Sequence, residues 1–302
     1  MNTATKLVSF GVVLGGVFAS ALAVGAVAGP IDVGAKSHTE TMSGGARDSA
    51  HLSEIARQGV SIAAAGFRFE PLTAEVAADR VAAFRFRIVD EDGNAVRRFE
   101  LNHERELHLI VVSRNLIDYT HVHPVRDELG VWTVDLPALP AGSYRVLADF
   151  RAAGAESVTL GADLSVVGAP RAVQLPEPAS TARVGDYEIA IDGKARIGAS
   201  DLSFEIRRNG EHVATEPYLG AAGHLVGIRA GDMAYLHVHP TDGSESTDGP
   251  IRLTAEFPTA GVYRLFLDFS HGGVIRTAAF TVIVETTASP GASTTHDTGG
   301  GH

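Results

Sequence analysis

Between Ala82 and Val96 apolar and charged side chains alternate. Phe84, Phe86 and Ile88 are separated by Arg85 and Arg87, and the run stops at Asp92-Gly93. Residues 202–213 repeat the pattern with Leu202, Phe204 and Ile206, and stop at Asn209-Gly210. A period of two puts every second side chain on one face of a strand, and Asp-Gly or Asn-Gly suits a tight hairpin turn. Strand-like patterning of this kind occupies nearly all of 59–168 and 184–285, which predicts an all-β chain.

The two stretches stay in step. "HLIVVSRNLIDYTHVHP" (108–124) lies over "HLVGIRAGDMAYLHVHP" (224–240) without a gap, and "PAGSYRVLADF" (140–150) over "TAGVYRLFLDF" (259–269). A repeat of this length is a duplicated domain, since solenoid units are only about 20–50 residues long. The expected fold is therefore two tandem β-sandwiches, immunoglobulin-like or, as the close alternative, cupredoxin-like Greek-key barrels. Tyr144 and Tyr263 enter late strands where an immunoglobulin-like domain ties a tyrosine hydroxyl to nearby backbone; they are equally readable as β-prone aromatics.

Around these domains, 59–168 and 184–285, the pattern lapses. Residues 31–58 read as a flexible tether with one helical turn near "SEIARQ", and 169–183, with Pro170, Pro176 and Pro178, as a linker. Residues 286–302 read as a disordered Gly/Ser/Thr/His tail.

Lys6 precedes an uncharged apolar run from Leu7 to Gly29 that contains the small-residue patterns "ALA" (21–23) and "AVA" (26–28). Residues 1–30 thus read as a signal peptide or a membrane-anchoring helix. Either way the remainder lies outside the cytoplasm, secreted or anchored at the cell envelope, touching the membrane through this helix if it is not cut. The chain of 302 residues contains no cysteine, which removes disulfides, thiolate metal sites and cysteine nucleophiles. A formal charge of −11 argues against nucleic acid as a partner. The sequence indicates no protein partner.

Histidines carry the candidate chemistry. His121 and His123 are two apart, as are His237 and His239, and each pair shares a strand face. His108 and His224 recur at the matching offset. A hairpin with Ile110 opposite His121 puts His108 opposite His123, gathering three imidazoles with an open position. The difficulty is that His108, Ile110 and Val112 lie on one face while Leu109 and Val111 lie on the other. Both faces look apolar, and a slip of one residue would scatter the triad.

The expectation is one site per domain, formed by His108, His121 and His123 and by His224, His237 and His239, against the alternative that these histidines are structural. Imidazole-only ligation suits copper(II) or zinc. Asp149 and Asp268 match across the repeats and are candidates to orient a ligand, although pairing with arginine is the commoner role. His103, His212 and His271 have no counterpart and are expected at the surface.

No enzyme is expected. "HERELH" (103–108) has one residue too many for the zinc-protease helix, and no nucleophile elbow or phosphate loop occurs. The run "ELHLIVVSRNLIDYTHVHP" followed by "PAGSYRVLADF" resembles exported, largely uncharacterised proteins with tandem immunoglobulin-like or cupredoxin-like domains and a repeated H-x-H-P motif. That resemblance implies metal handling, copper especially. With no cysteine, and with Met42 and Met233 the only methionines after the leader, blue-copper and copper(I)-chaperone chemistry are not implied. The sequence reads as an exported, envelope-associated binding protein that takes copper(II) or zinc through its repeated histidines. The alternative is a structural or adhesive envelope protein.

Overall fold

Strand Leu107–Ser113 carries seven consecutive buried residues, whereas a strand with one face in water buries every second side chain. Leu107, Leu109 and Val111 enter the core of the first repeat with Phe84, Phe86, Trp132 and Phe150. Ile110 and Val112 enter a different cluster, with Val226, Ile228, Tyr235 and Phe266 of the second repeat. The computed structural model describes residues 51–285 other than 53, 56, 237 and 242–246, and in it four sheets stack as two sandwiches back to back.

In the first repeat one sheet runs Ala63–Ala64, Phe67–Pro71, Ala82–Val89, Val131–Leu136, Val125–Arg126. The facing sheet runs Glu75–Ala77, Ser157–Val167, Gly142–Ala152, Leu107–Ser113, Tyr119–Val122, and its first pair is parallel. This is an immunoglobulin-like order, and the barrel alternative is set aside. In the second repeat Gly198–Arg208 and Ile251–Phe257 lie central in the outer sheet. The inner sheet runs Tyr235–Leu236, His224–Arg229, Gly261–His271, Val274–Val284.

Both tyrosine corners form: Tyr144 Oη donates to Pro140 O and Tyr263 Oη to Thr259 O, each at 2.9 Å. A buried phenol needs such an acceptor.

The inner sheets meet through a third apolar cluster, in which the Tyr119 and Phe266 rings stack at 4.1 Å and 8°. The ambiguity of the two apolar faces disappears here, because one face fills its own sandwich and the other fills the seam.

Two boundaries differ from expectation. Thr181–Val184 is a strand of the second sandwich, so the linker ends before residue 181. The tether is not free to its end either. Residues 51, 52, 54 and 55 are helical and Ile55 is buried. Gly59 N–H then donates to Thr159 O while Gln58 O accepts from Tyr235 N–H, both at 2.8 Å, so the segment is bonded to both repeats. At Gly59 φ is +71°, and a Cβ would stand 2.7 Å from Leu147 Cδ2, so only glycine fits.

The leader, residues 31–50 of the tether, and the tail lie outside the described residues. Among the described residues no helix is long and apolar enough to cross a membrane.

Candidate metal centre

The ladder between Leu107–Ser113 and Tyr119–Val122 pairs Val112 with Tyr119 and Ile110 with His121, the register expected from the sequence. Pairing ends at Val122. His123 follows at once, and its Nε2 lies 3.2 Å from His108 Nδ1, while His121 Nε2 lies 3.0 Å from the same atom. The three histidines of the first repeat therefore meet.

The second repeat begins with the same register, Ile228 opposite Tyr235. The chain then crosses to the outer sheet, where His239 faces Thr254 and is exposed. His237 lies outside the described residues. His224 instead joins the first repeat's histidines, its ring parallel to that of His108 at 5.4 Å and 9°. Ligand nitrogens of His108, His121 and His224 all lie within 4.8 Å of one another. His224 thus joins the triad expected in the first domain, while the triad expected in the second includes His237, outside the described residues. The face carrying His108, Ile110 and Val112 is packed against its own duplicate, which brings His108 and His224 together.

His103 was expected at the surface, and the structure places it at this cluster, edge-on to His224 at 5.1 Å and 6.1 Å from His108. The sequence hides it because the second repeat has no matching histidine. His212 and His271 lie apart, bonded to Glu205 and to the Tyr187 hydroxyl.

Asp268 was expected to pair with arginine, and its partner is a histidine. Its Oδ2 accepts from His121 Nδ1 at 3.0 Å across the seam and from the Tyr119 hydroxyl at 3.2 Å, while Thr277 Oγ1 donates to its Oδ1 at 2.5 Å. Its counterpart Asp149 accepts from Thr159 Oγ1 at 3.0 Å. Burial first, against that hydrogen bond and the His121 charge, raises Asp149 to about 6.

These partners assign tautomers. His121 gives its Nδ1 proton to the Asp268 carboxylate, leaving a lone pair on Nε2. His108 Nε2 donates to Asn102 O at 2.9 Å, leaving a lone pair on Nδ1. With both rings neutral, two lone pairs thus face each other at 3.0 Å.

Burial lowers the pKa of three of these imidazoles. Burial, then the neighbouring His121, lowers His108 to about 4 against the pull of Asn102 O. Burial, then His121 and His108, lowers His123 to about 3. His224 is held well below its ordinary value, again by burial first. Beside the cluster lies a cleft of about 450 Å³, lined among others by His103, His224, His239, Asp149 and Glu54.

No curated protein matches the chain. Similar solved structures include the Escherichia coli adhesin FdeC, 15% identical with a TM-score of 0.26, covering 75% of this chain and 66% of that one. The Yersinia pseudotuberculosis adhesin InvE is 12% identical, TM-score 0.22, covering 74% and 60%. Domains 5–6 of the S-layer protein SbsC are 16% identical, TM-score 0.22, covering 73% and 97%. The chain spans less than two thirds of the length of the first two. Likeness at these TM-scores carries no argument about function. One family model matches twice, over residues 63–166 and 182–286, which are the two sandwiches. The chain belongs to the family described as a domain of unknown function (DUF8832), and carries that domain in tandem.

Proposed function

We propose that this chain is an extracytoplasmic envelope protein that holds one divalent transition-metal ion, copper(II) or zinc, in the histidine cluster between its two sandwiches. One observation carries the reading: His108 Nδ1 and His121 Nε2 face each other at 3.0 Å, while His108 Nε2 is bonded to Asn102 O and His121 Nδ1 to Asp268. Opposed lone pairs repel, and a cation between them turns the repulsion into ligation. Two imidazole nitrogens on one tetrahedral zinc stand about 3.3 Å apart, as zinc–nitrogen bonds near 2.0–2.1 Å require. The separations of 3.0 and 3.2 Å around His108 Nδ1 are close to that. The donor set is imidazole-only, which suits copper(II) or zinc. Asp268 plays the part of the carboxylate that fixes a ligand's tautomer and raises its basicity. Placement outside the cytoplasm rests on the leader at 1–30.

The test uses the full chain with His296→Ala and His302→Ala, so that the tail cannot collect metal. Titration should show one equivalent of copper(II) or zinc, and one only. Adding His121→Ala and His224→Ala should abolish binding. A parent with no metal above background defeats the reading.

A second reading rests on the same contact. A proton on His121 Nε2 in place of the ion would let an imidazolium bridge Asp268 and His108, pinning the repeats together in a structural or adhesive envelope protein. On this reading His121→Ala lowers the melting temperature in metal-free buffer, and added metal changes nothing in the parent.

A further inference from the structure

Residues Asn102–Arg105 form a two-residue turn in which Arg105 N–H donates to Asn102 O at 3.0 Å and Asn102 N–H to Arg105 O at 2.8 Å. Its central residues, His103 and Glu104, have φ of +46° and +64°. Left-handed backbone at two successive positions is the geometry that Asn-Gly satisfies without strain. Histidine is among the residues that adopt this backbone more readily, so the turn fixes where His103 stands at modest cost. The turn is also tied to the cluster, because Asn102 O accepts from His108 Nε2.

The second repeat supplies an internal control. Tyr218–Ala221 closes the same turn, with Leu219 and Gly220 at φ of +55° and +77°. The two turns are neighbours: a Cβ on Gly220 would lie 3.7 Å from Glu104 Oε1. One repeat thus presents a buried leucine at this position, and the other a half-buried imidazole. The imidazole reaches His224 edge-on and lines the cleft together with His224 and His239.

We propose that His103 is a further ligand of the centre, the one that takes the ion from the cleft and passes it to the buried imidazoles. This rests on the metal reading above and adds to it a direction, since the leucine at the sister turn offers nothing to a cation.

His103→Leu copies the residue that the sister turn already holds at positive φ, so the fold tolerates it. His103→Asn keeps a residue at ease in left-handed backbone and also lacks the ring. Both are made in the full chain with His296→Ala and His302→Ala, and copper(II) itself is the probe. Both variants should still bind one equivalent, with affinity at least about tenfold weaker, a slower association rate, and one nitrogen fewer in the copper hyperfine pattern. Their metal-free melting temperatures should match the parent's, which a purely structural role for His103 would not allow. Variants with the parent's affinity, rate and nitrogen count overturn this proposal and leave the metal reading standing. A parent that binds no copper overturns both.

Discussion

Asp268 in the second repeat holds His121 in the first, carboxylate to Nδ1, at 3.0 Å and with both side chains only 2% exposed. A buried carboxylate facing a ligand's second nitrogen decides which nitrogen is left for an ion. Asp268→Asn should therefore weaken copper(II) or zinc binding by about 10–100-fold without changing the stoichiometry. Calorimetric titration of variant and parent checks this, and equal affinities would show that Asp268 only packs.

The seam should behave as core. Phe266 stacks on Tyr119 and sits among Ile110, Leu147 and Val226, fully buried. Phe266→Ala should cost about 3–5 kcal/mol. It should also split a single urea transition into two, because the loss falls between the sandwiches and not within one. An unchanged single transition would mean that the repeats unfold together for another reason.

Asp149 makes stability depend on pH in a direction opposite to the usual carboxylate. Its folded value, about 6, lies above the ordinary 3.8, with burial as the main cause. Between these values the folded state holds the proton that the unfolded state has released, so stability falls as pH rises through the window and is level above it. The full effect is at most about 3 kcal/mol. Asp149→Asn, which can still accept from Thr159, should match the parent near pH 4 and exceed it near pH 7. Urea unfolding at both pH values measures the difference.

The tyrosine corners should be worth similar amounts in the two repeats, since Tyr144 and Tyr263 bond the carbonyl four residues back at the same 2.9 Å. Tyr144→Phe and Tyr263→Phe should each cost about 1 kcal/mol, somewhat more if the carbonyl is left without a partner. Thermal unfolding of the single and double variants should give additive losses, because the sites share no contacts.

Much of this was legible in the chain itself. The alternation of Phe84, Phe86 and Ile88 with arginines marks a strand because side-chain period is a local property of extended backbone. The repeat marked two domains, and the position of the turn set the register that brings His121 and His123 to His108, since ladder pairing in a hairpin follows from turn and length. The apolar character of both faces of 108–112 was also written there, although its meaning was not.

What only the tertiary structure decided is how the two repeats face each other. Packing one copy against its duplicate buried the second face of Leu107–Ser113, brought His224 to the histidines of the first repeat, and set Asp268 against His121. It also brought His103, which no repeat pattern marks, to the edge of the same cluster. These contacts join residues more than a hundred positions apart. They depend on the shape of two finished surfaces, and no periodicity along the chain encodes which surface will meet which.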